Sequence, residues 1–150
     1  MSFVKVSLVY FLVGAFWMGF FGFLPEPEQL LAHEIYNSAR GHVMLLGWAS
    51  FAIIGLIYYF VPKAVEGNLY SERLARIHFW ITNVVVPIGI LIQTYASFAI
   101  DSLLAGGLSE GEVFGHPTIA PLFFTYMALF IIGFAAQIVF VYNIYKTIRK

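Results

Sequence analysis

The sequence predicts an all-α fold, a four-helix transmembrane bundle that is integral to the membrane and has both termini in the cytoplasm. Hydrophobic residues make up 61% of the 150-residue chain, and charge is confined to eight basic and eight acidic residues, far below the roughly one quarter usual in soluble domains. The apolar residues form four long runs. Strands are excluded because four segments cannot close a β-barrel, and an open sheet would leave unpaired backbone groups in lipid.

Each run holds the roughly 20 residues that a helix needs to cross a hydrocarbon core about 30 Å thick. The predicted helices form one transmembrane domain over residues 1–150 and span about 3–24, 38–62, 74–100 and 118–146. Their ends are marked by Pro25, Pro27, Pro62, the pair Gly106 and Gly107, Pro117 and Pro121. Because the connections are short, successive helices are expected to pack antiparallel.

The first run opens like a signal peptide, with Lys5 ahead of apolar residues. It is long, and no small-residue cleavage site precedes Pro25, so we interpret it as a retained helix. In the third run, Pro87 predicts a kink. The small residues that would let helices approach closely are Gly14, Ala15, Gly19, Gly22, Gly133 and Ala136.

The basic residues predict the orientation. All except Arg40 fall in the N-terminal segment, the second connection or the C-terminus, and with four spans these three regions share one face. That face is expected to be cytoplasmic, in the cell inner (plasma) membrane. The other two connections carry only acidic charge, which makes the outer face acidic. The basic residues thus form a cytoplasmic collar, and with a formal net charge of zero the chain shows no signal for nucleic-acid binding.

Histidine is the side chain most able to carry chemistry here. The absence of cysteine excludes thiolate-bound metals and iron–sulfur clusters. Of the four histidines, only His42 lies several residues inside a predicted span. An ionisable side chain at that depth requires a partner, and in a membrane the partner is often a metal or cofactor.

The surroundings of His42 suit a haem. Leu46 and Ala49 continue its helical face, and a macrocycle bound by an imidazole needs small and apolar side chains along its ring. A low-spin electron-transfer haem has two axial ligands, so one histidine is half a site. By spacing alone two interpretations stay open, haem ligation and a hydrogen bond from His42 to a neighbouring helix.

The other polar residues are expected to have simpler roles. His33 and His116 are placed in solvated loops, although they are also the weaker candidates for a second iron ligand. His78 is interpreted as an anchor at the inner interface. The polar side chains of the third helix, Asn83, Gln93 and Thr94, are expected to hydrogen-bond between helices.

Three roles stay open for Arg40. It can extend to the interface, pair with Glu34, or offset the charge of haem propionates.

Several motifs resemble a known family. The segment Ala39-Arg40-Gly41-His42, Gly47, the helix end at 55–62 and the segment from Leu74 to Trp80 look like the tenth and eleventh helices of the catalytic subunit of haem-copper oxidases and nitric oxide reductases. The likeness covers 38–100, and the first and last helices match the ninth and twelfth more loosely. In that superfamily the tenth helix carries a His-x-His pair, whose first histidine ligates the gas-reacting haem and whose second ligates the low-spin haem.

The departure from the family pattern is informative. His42 stands where the second histidine of the pair is found, but Arg40 stands in place of the first. The resemblance therefore implies a low-spin, electron-transferring haem on His42 and no competence of this chain alone for oxygen or nitric oxide reduction. We expect haem b, because haem a would call for polar partners for its formyl group.

A low-spin haem on His42 needs a second ligand. The sequence allows a homo-oligomer, with a dimer favoured in which two copies of His42 face one another, ligation by His33 or His116, or a further subunit. The electron donor is expected to belong to a respiratory chain, and a quinone is also allowed. Two other functions stay open: a haem-free structural or assembly subunit of a respiratory complex, and a haem-based sensor of diatomic gas.

Overall fold

The described part of the chain is entirely helical. A computed structural model describes residues 2–20 and 25–149. Its elements, in chain order, are α1 (Ser2–Phe20), α2 (Leu30–His42), a π-helical segment (Val43–Ser50), α3 (Phe51–Ala64), α4 (Glu72–Ala105), α5 (Glu110–Gly115) and α6 (Ala120–Ile148). No strand occurs within these residues, which confirms the predicted all-α class.

Three helical stretches are long and apolar enough to cross a membrane. They are Leu30–Ala64, in which α2, the π-helical segment and α3 join into one rod, together with α4 and α6. The first predicted span is represented by a shorter apolar helix, Phe3–Gly19. The rest of that span, 21–24 with Gly22, lies outside the described residues, so the count of four spans stays a prediction.

The first connection differs from its prediction. Residues 25–37 were expected to form a loop, but α2 begins at Leu30 and places His33 on a helix. A contact from another helix explains this early start, because Asp101 in α4 accepts a 2.7 Å hydrogen bond from the backbone N–H of Gln29, the residue before α2. A carboxylate at a helix N-terminus stabilises the helix by satisfying a free donor and opposing the helix dipole.

Other helix ends also lie beyond their predicted positions. The rod continues past Pro62 to Ala64, since a proline removes only its own N–H and does not prevent one further turn from closing. Helix α4 starts two residues earlier than expected, is continuous through Pro87, and extends to Ala105. The short helix α5 lies in a connection expected to be irregular.

One end of the bundle is defined by contacts between helices. At one end, Asn143 of α6 accepts a 3.0 Å hydrogen bond from the Ser71 N–H and donates a 2.9 Å bond to the Ser71 carbonyl. Phe3 of α1 packs there on Tyr58 of α3, with ring centroids 5.7 Å apart. The start of α1, the connection before α4 and the end of α6 therefore share one end, as the antiparallel arrangement predicts.

Helix α1 packs closely on the rod through glycines. A Cβ atom at Gly47 would lie 2.6 Å from Cγ of Tyr10, and one at Gly55 would lie 3.1 Å from the backbone nitrogen of Val4. A Cβ at Gly14 would overlap the end of the Met44 side chain, whereas one at Gly19 would meet nothing within 4 Å. Close approach therefore occurs at Gly14 but not at Gly19.

His78 lies inside the bundle and is not the interface anchor that the sequence suggested. Its side chain is fully buried, its ring stacks on Phe140 with centroids 5.2 Å apart, and its Nδ1 lies 3.2 Å from the Tyr58 hydroxyl oxygen. Aromatic side chains from α1, α3 and α6 converge on this turn of α4 and exclude it from the surface. Sequence position alone could not reveal this convergence.

Candidate functional site

A cavity of about 500 Å³ lies between the rod, α4 and α6. This volume is within the range of about 300–1,000 Å³ found for small-molecule and cofactor sites. Its walls are mostly apolar, with polar side chains at few positions, among them His42 and Gln93. Helix α6 packs chiefly on α4 and much less on α3, and the cavity is partly open.

His42 lines this cavity and is held by α4. Its Nδ1 lies 2.7 Å from the side-chain oxygen of Gln93, and the amide nitrogen of Gln93 donates a longer, 3.4 Å bond to the hydroxyl of Ser38. An amide oxygen can only accept a hydrogen bond, so in this contact a neutral His42 ring carries its proton on Nδ1. The other ring nitrogen, Nε2, then carries a free lone pair, which is the state in which a histidine ligates a metal.

Of the two residues predicted to continue the face of His42, one lines the cavity. Leu46 lines the cavity with His42, but Ala49 does not, and Ser50 lines it instead. The π-helical segment accounts for this difference, because its turns contain more residues than α-helical turns and move the lining position one residue along the chain. Ser50 also donates to the carbonyl of Leu45, five residues earlier.

Arg40 lies away from this cavity. It borders a separate shallow pocket with Met18 and Met44 and donates a 2.6 Å hydrogen bond to Glu26. Of the three roles left open for Arg40, the one that involved an ion pair is observed with a different partner, Glu26 in place of Glu34.

The two histidines proposed as second ligands do not line the cavity. His33 lies on α2 with its Nδ1 3.7 Å from a Glu26 carboxylate oxygen. His116 follows α5 and accepts a 3.2 Å hydrogen bond from the backbone N–H of Thr118. Within 2–20 and 25–149, His42 is the only histidine that borders the cavity.

The donor set of the cavity fits a haem better than a bare metal ion. Among the described residues, no three His, Asp or Glu side chains come together as a metal cluster. A haem needs only axial ligands from the protein, because the porphyrin nitrogens occupy the equatorial positions. Glycines 89 and 133 keep two wall positions free of side chains, and a Cβ on the second would lie 3.2 Å from Val85.

The polar side chains of the third helix were expected to hydrogen-bond between helices, which is wrong for Asn83 and Thr94 and correct for Gln93. Asn83 and Thr94 bond to carbonyls of their own helix, those of Phe79 and Ile90, and only Gln93 reaches another helix. A polar side chain flanked by apolar residues was the available signal. Which of the three faces the rod depends on how α4 is rotated in the bundle.

Comparison with known proteins supports the resemblance. The model of the family described as cytochrome c and quinol oxidase polypeptide I matches residues 1–103. Cytochrome c oxidase subunit 1 of Corynebacterium glutamicum is 29% identical over 126 residues, which are 83% of this chain and 20% of that protein. Cbb3-type cytochrome c oxidase subunit CcoN1 of Stutzerimonas stutzeri is 42% identical over 40 residues, 27% of this chain and 8% of that protein.

Cytochrome c oxidase polypeptide 1 of Halobacterium salinarum is 36% identical over 55 residues, which are 36% of this chain and 9% of that protein. No solved structure matches the chain. The chain spans about a fifth or less of the length of these relatives. Because the family model matches residues 1–103, more than half of the chain, the chain belongs to the cytochrome c and quinol oxidase polypeptide I family. It is a multi-pass protein of the cell inner (plasma) membrane.

Proposed function

We propose that this chain binds haem b through Nε2 of His42 and transfers single electrons as a low-spin membrane haem protein. The observation that carries the proposal is the 2.7 Å contact between Nδ1 of His42 and Gln93 at the wall of the apolar cavity. A haem supplies the one-electron change between ferric and ferrous iron. The role of the chain is to hold a neutral imidazole in place and to keep water from the ring.

The residues around the cavity suit this task. Gln93 orients the His42 ring, Leu46 and Phe51 border the cavity as apolar side chains, and Gly89 and Gly133 leave space in the walls. An apolar lining lowers the local dielectric, which disfavours the additional positive charge of ferric iron and raises the reduction potential. The chain is proposed to lie with its termini in the cytoplasm, which puts His42 toward the outer face.

The second axial ligand is proposed to come from another copy of the chain. His33 precedes His42 by nine residues, which is about 13.5 Å of helical rise at 1.5 Å per residue and about two and a half turns. It therefore points to the opposite side of α2. Two copies of His42 can meet on one haem in a symmetric dimer, and the partly open side of the cavity offers a route between them.

Reduction of oxygen or nitric oxide is not part of this proposal. Arg40, which stands where the family has a ligand for the gas-reacting haem, pairs with Glu26 outside the cavity. Electrons are proposed to come from a respiratory-chain donor or a quinone.

A gas-binding function is the second candidate, and one observation favours it. Since His42 is the only histidine bordering the cavity within the described residues, a monomer would leave one axial position of the iron open. An open position is what a diatomic ligand requires. Addition of carbon monoxide to the reduced protein separates the candidates, because it shifts the Soret band only of an accessible iron.

The test of the main proposal is a reduced-minus-oxidised spectrum of the purified protein in detergent. Wild type should show haem b bands, His42→Ala should lose them, and His33→Ala should keep them as the matched control on the same helix. Bands of equal intensity in wild type and His42→Ala would contradict the assignment. Absence of haem from wild type would favour the haem-free structural subunit.

A further inference from the structure

Gln93 is the polar side chain of α4 that reaches the α2 part of the rod, whereas His78 of the same helix contacts Tyr58 of α3. Asn83 and Thr94 each donate a hydrogen bond to a carbonyl of their own helix, at 2.8 and 2.9 Å. Gln93 instead reaches α2, where its oxygen meets His42. A polar group within a transmembrane segment is costly without a partner, so the position of Gln93 calls for a specific contact.

The orientation of the Gln93 amide is defined by a second contact on α2. Ser38 and His42 are four residues apart and lie on one face of the helix. The amide nitrogen of Gln93 donates to the Ser38 hydroxyl at 3.4 Å, while the amide oxygen lies 2.7 Å from His42 Nδ1. Since the nitrogen faces Ser38, it is the oxygen that faces the imidazole. This arrangement selects the tautomer of His42 that carries its proton on Nδ1.

We propose that Gln93 is a positioning residue that sets both the tautomer of His42 and the electron-donating strength of its Nε2. This inference rests on the proposed function and adds its control element. An acceptor on Nδ1–H makes the imidazole a stronger donor to iron. A neutral amide does so moderately, whereas a carboxylate at the same place would give the ring more imidazolate character. The amide of Gln93 therefore keeps the midpoint potential of the haem between the value expected without an acceptor on Nδ1–H and the value expected with a carboxylate there.

The experiment compares Gln93→Leu and Gln93→Glu in the full chain, with Thr94→Val as the control, because Thr94 is the next residue of α4 and bonds only to its own helix. Loss of a second-shell partner typically weakens metal binding by about 10–100-fold, and Gln93→Leu should weaken haem binding within that range. Its midpoint potential should rise above that of wild type. The midpoint potential of Gln93→Glu should lie at or below that of wild type, and the midpoint potential of Thr94→Val should match that of wild type.

A measurement without haem tests the tautomer directly. In protein labelled with ¹⁵N at histidine, the ring nitrogen shifts of His42 should report the Nδ1–H form in wild type and a shift toward the Nε2–H form in Gln93→Leu. An unchanged tautomer overturns the inference. A Gln93→Leu protein whose potential equals or falls below that of wild type overturns it as well.

The two proposals fail in different ways. If His42→Ala retains haem, or wild type binds none, the proposed function fails while the nitrogen shifts still decide the role of Gln93. If haem depends on His42 but the Gln93 variants match wild type, only the positioning role fails.

Discussion

Replacing Gly47 with alanine should loosen the packing of α1 against the rod, whereas the same replacement at Gly41 should not. A Cβ on Gly47 would lie 2.6 Å from Cγ and 3.0 Å from Cβ of Tyr10. Carbon atoms in favourable contact are about 3.5–4.0 Å apart, so one helix must move by up to about 1 Å. Rotating the tyrosine ring does not relieve the clash, because Cβ of Tyr10 is fixed to the backbone of α1.

The magnitude follows from the comparison of the two variants. Both glycines lie in the Leu30–Ala64 rod, and a Cβ on Gly41 would meet nothing within 4 Å. Alanine improves a helix over glycine by about 0.5–1 kcal/mol at either position, and this gain cancels in the difference. What remains is the overpacking penalty, about 1–3 kcal/mol. Gly47→Ala should be less stable than Gly41→Ala by that amount.

The assay is equilibrium unfolding of the purified protein in mixed micelles, followed by circular dichroism. Gly14→Ala should fall between the other two variants, because a Cβ there meets Sδ of Met44, the end of a flexible side chain that can move aside. Equal unfolding free energies for Gly41→Ala and Gly47→Ala would refute the close approach of α1 to the π-helical segment.

Three further predictions concern polar contacts. Asn143→Leu removes both hydrogen bonds between α6 and the backbone before α4. It should lower the unfolding free energy by about 2–6 kcal/mol, since each of the two backbone groups of Ser71 left unpaired costs about 1–3 kcal/mol. A loss no larger than that of an exposed substitution would contradict this prediction. Arg40→Gln should lower the haem midpoint potential and Glu26→Gln should raise it, because each substitution leaves the other charge of the pair unbalanced. If a redox titration gives both variants the potential of wild type, the pair lies too far from the haem to influence it. Asp101→Asn keeps an acceptor for the N–H of Gln29 but loses the carboxylate charge. It should lower the unfolding free energy by about 0.3–1 kcal/mol in the same unfolding assay. An unchanged unfolding free energy would count against a role of the charge.

The sequence could predict the helical class and the central histidine because both depend on local patterns. Long apolar runs indicate spans directly, and a helical face from His42 to Leu46 follows from the period of an α-helix. Ala49 departed from this pattern because the rod changes to π-helical turns after His42, and nothing in the local composition marks that change. The start of α2 at Leu30 was equally hidden, since it depends on a carboxylate located in α4.

By itself, the sequence determined that the chain is a helical membrane protein and that His42 is its best candidate ligand, because composition and helical period act over a few neighbouring residues. Only the tertiary structure decided that Gln93 contacts the imidazole of His42, that Arg40 pairs with Glu26, and that His78 is buried. Each of these depends on the rotation and depth of one helix against another. The rotation and depth of a helix arise from packing between segments that are far apart in the chain. Because a membrane helix has apolar residues on most of its faces, its local sequence pattern does not show which face meets which neighbour.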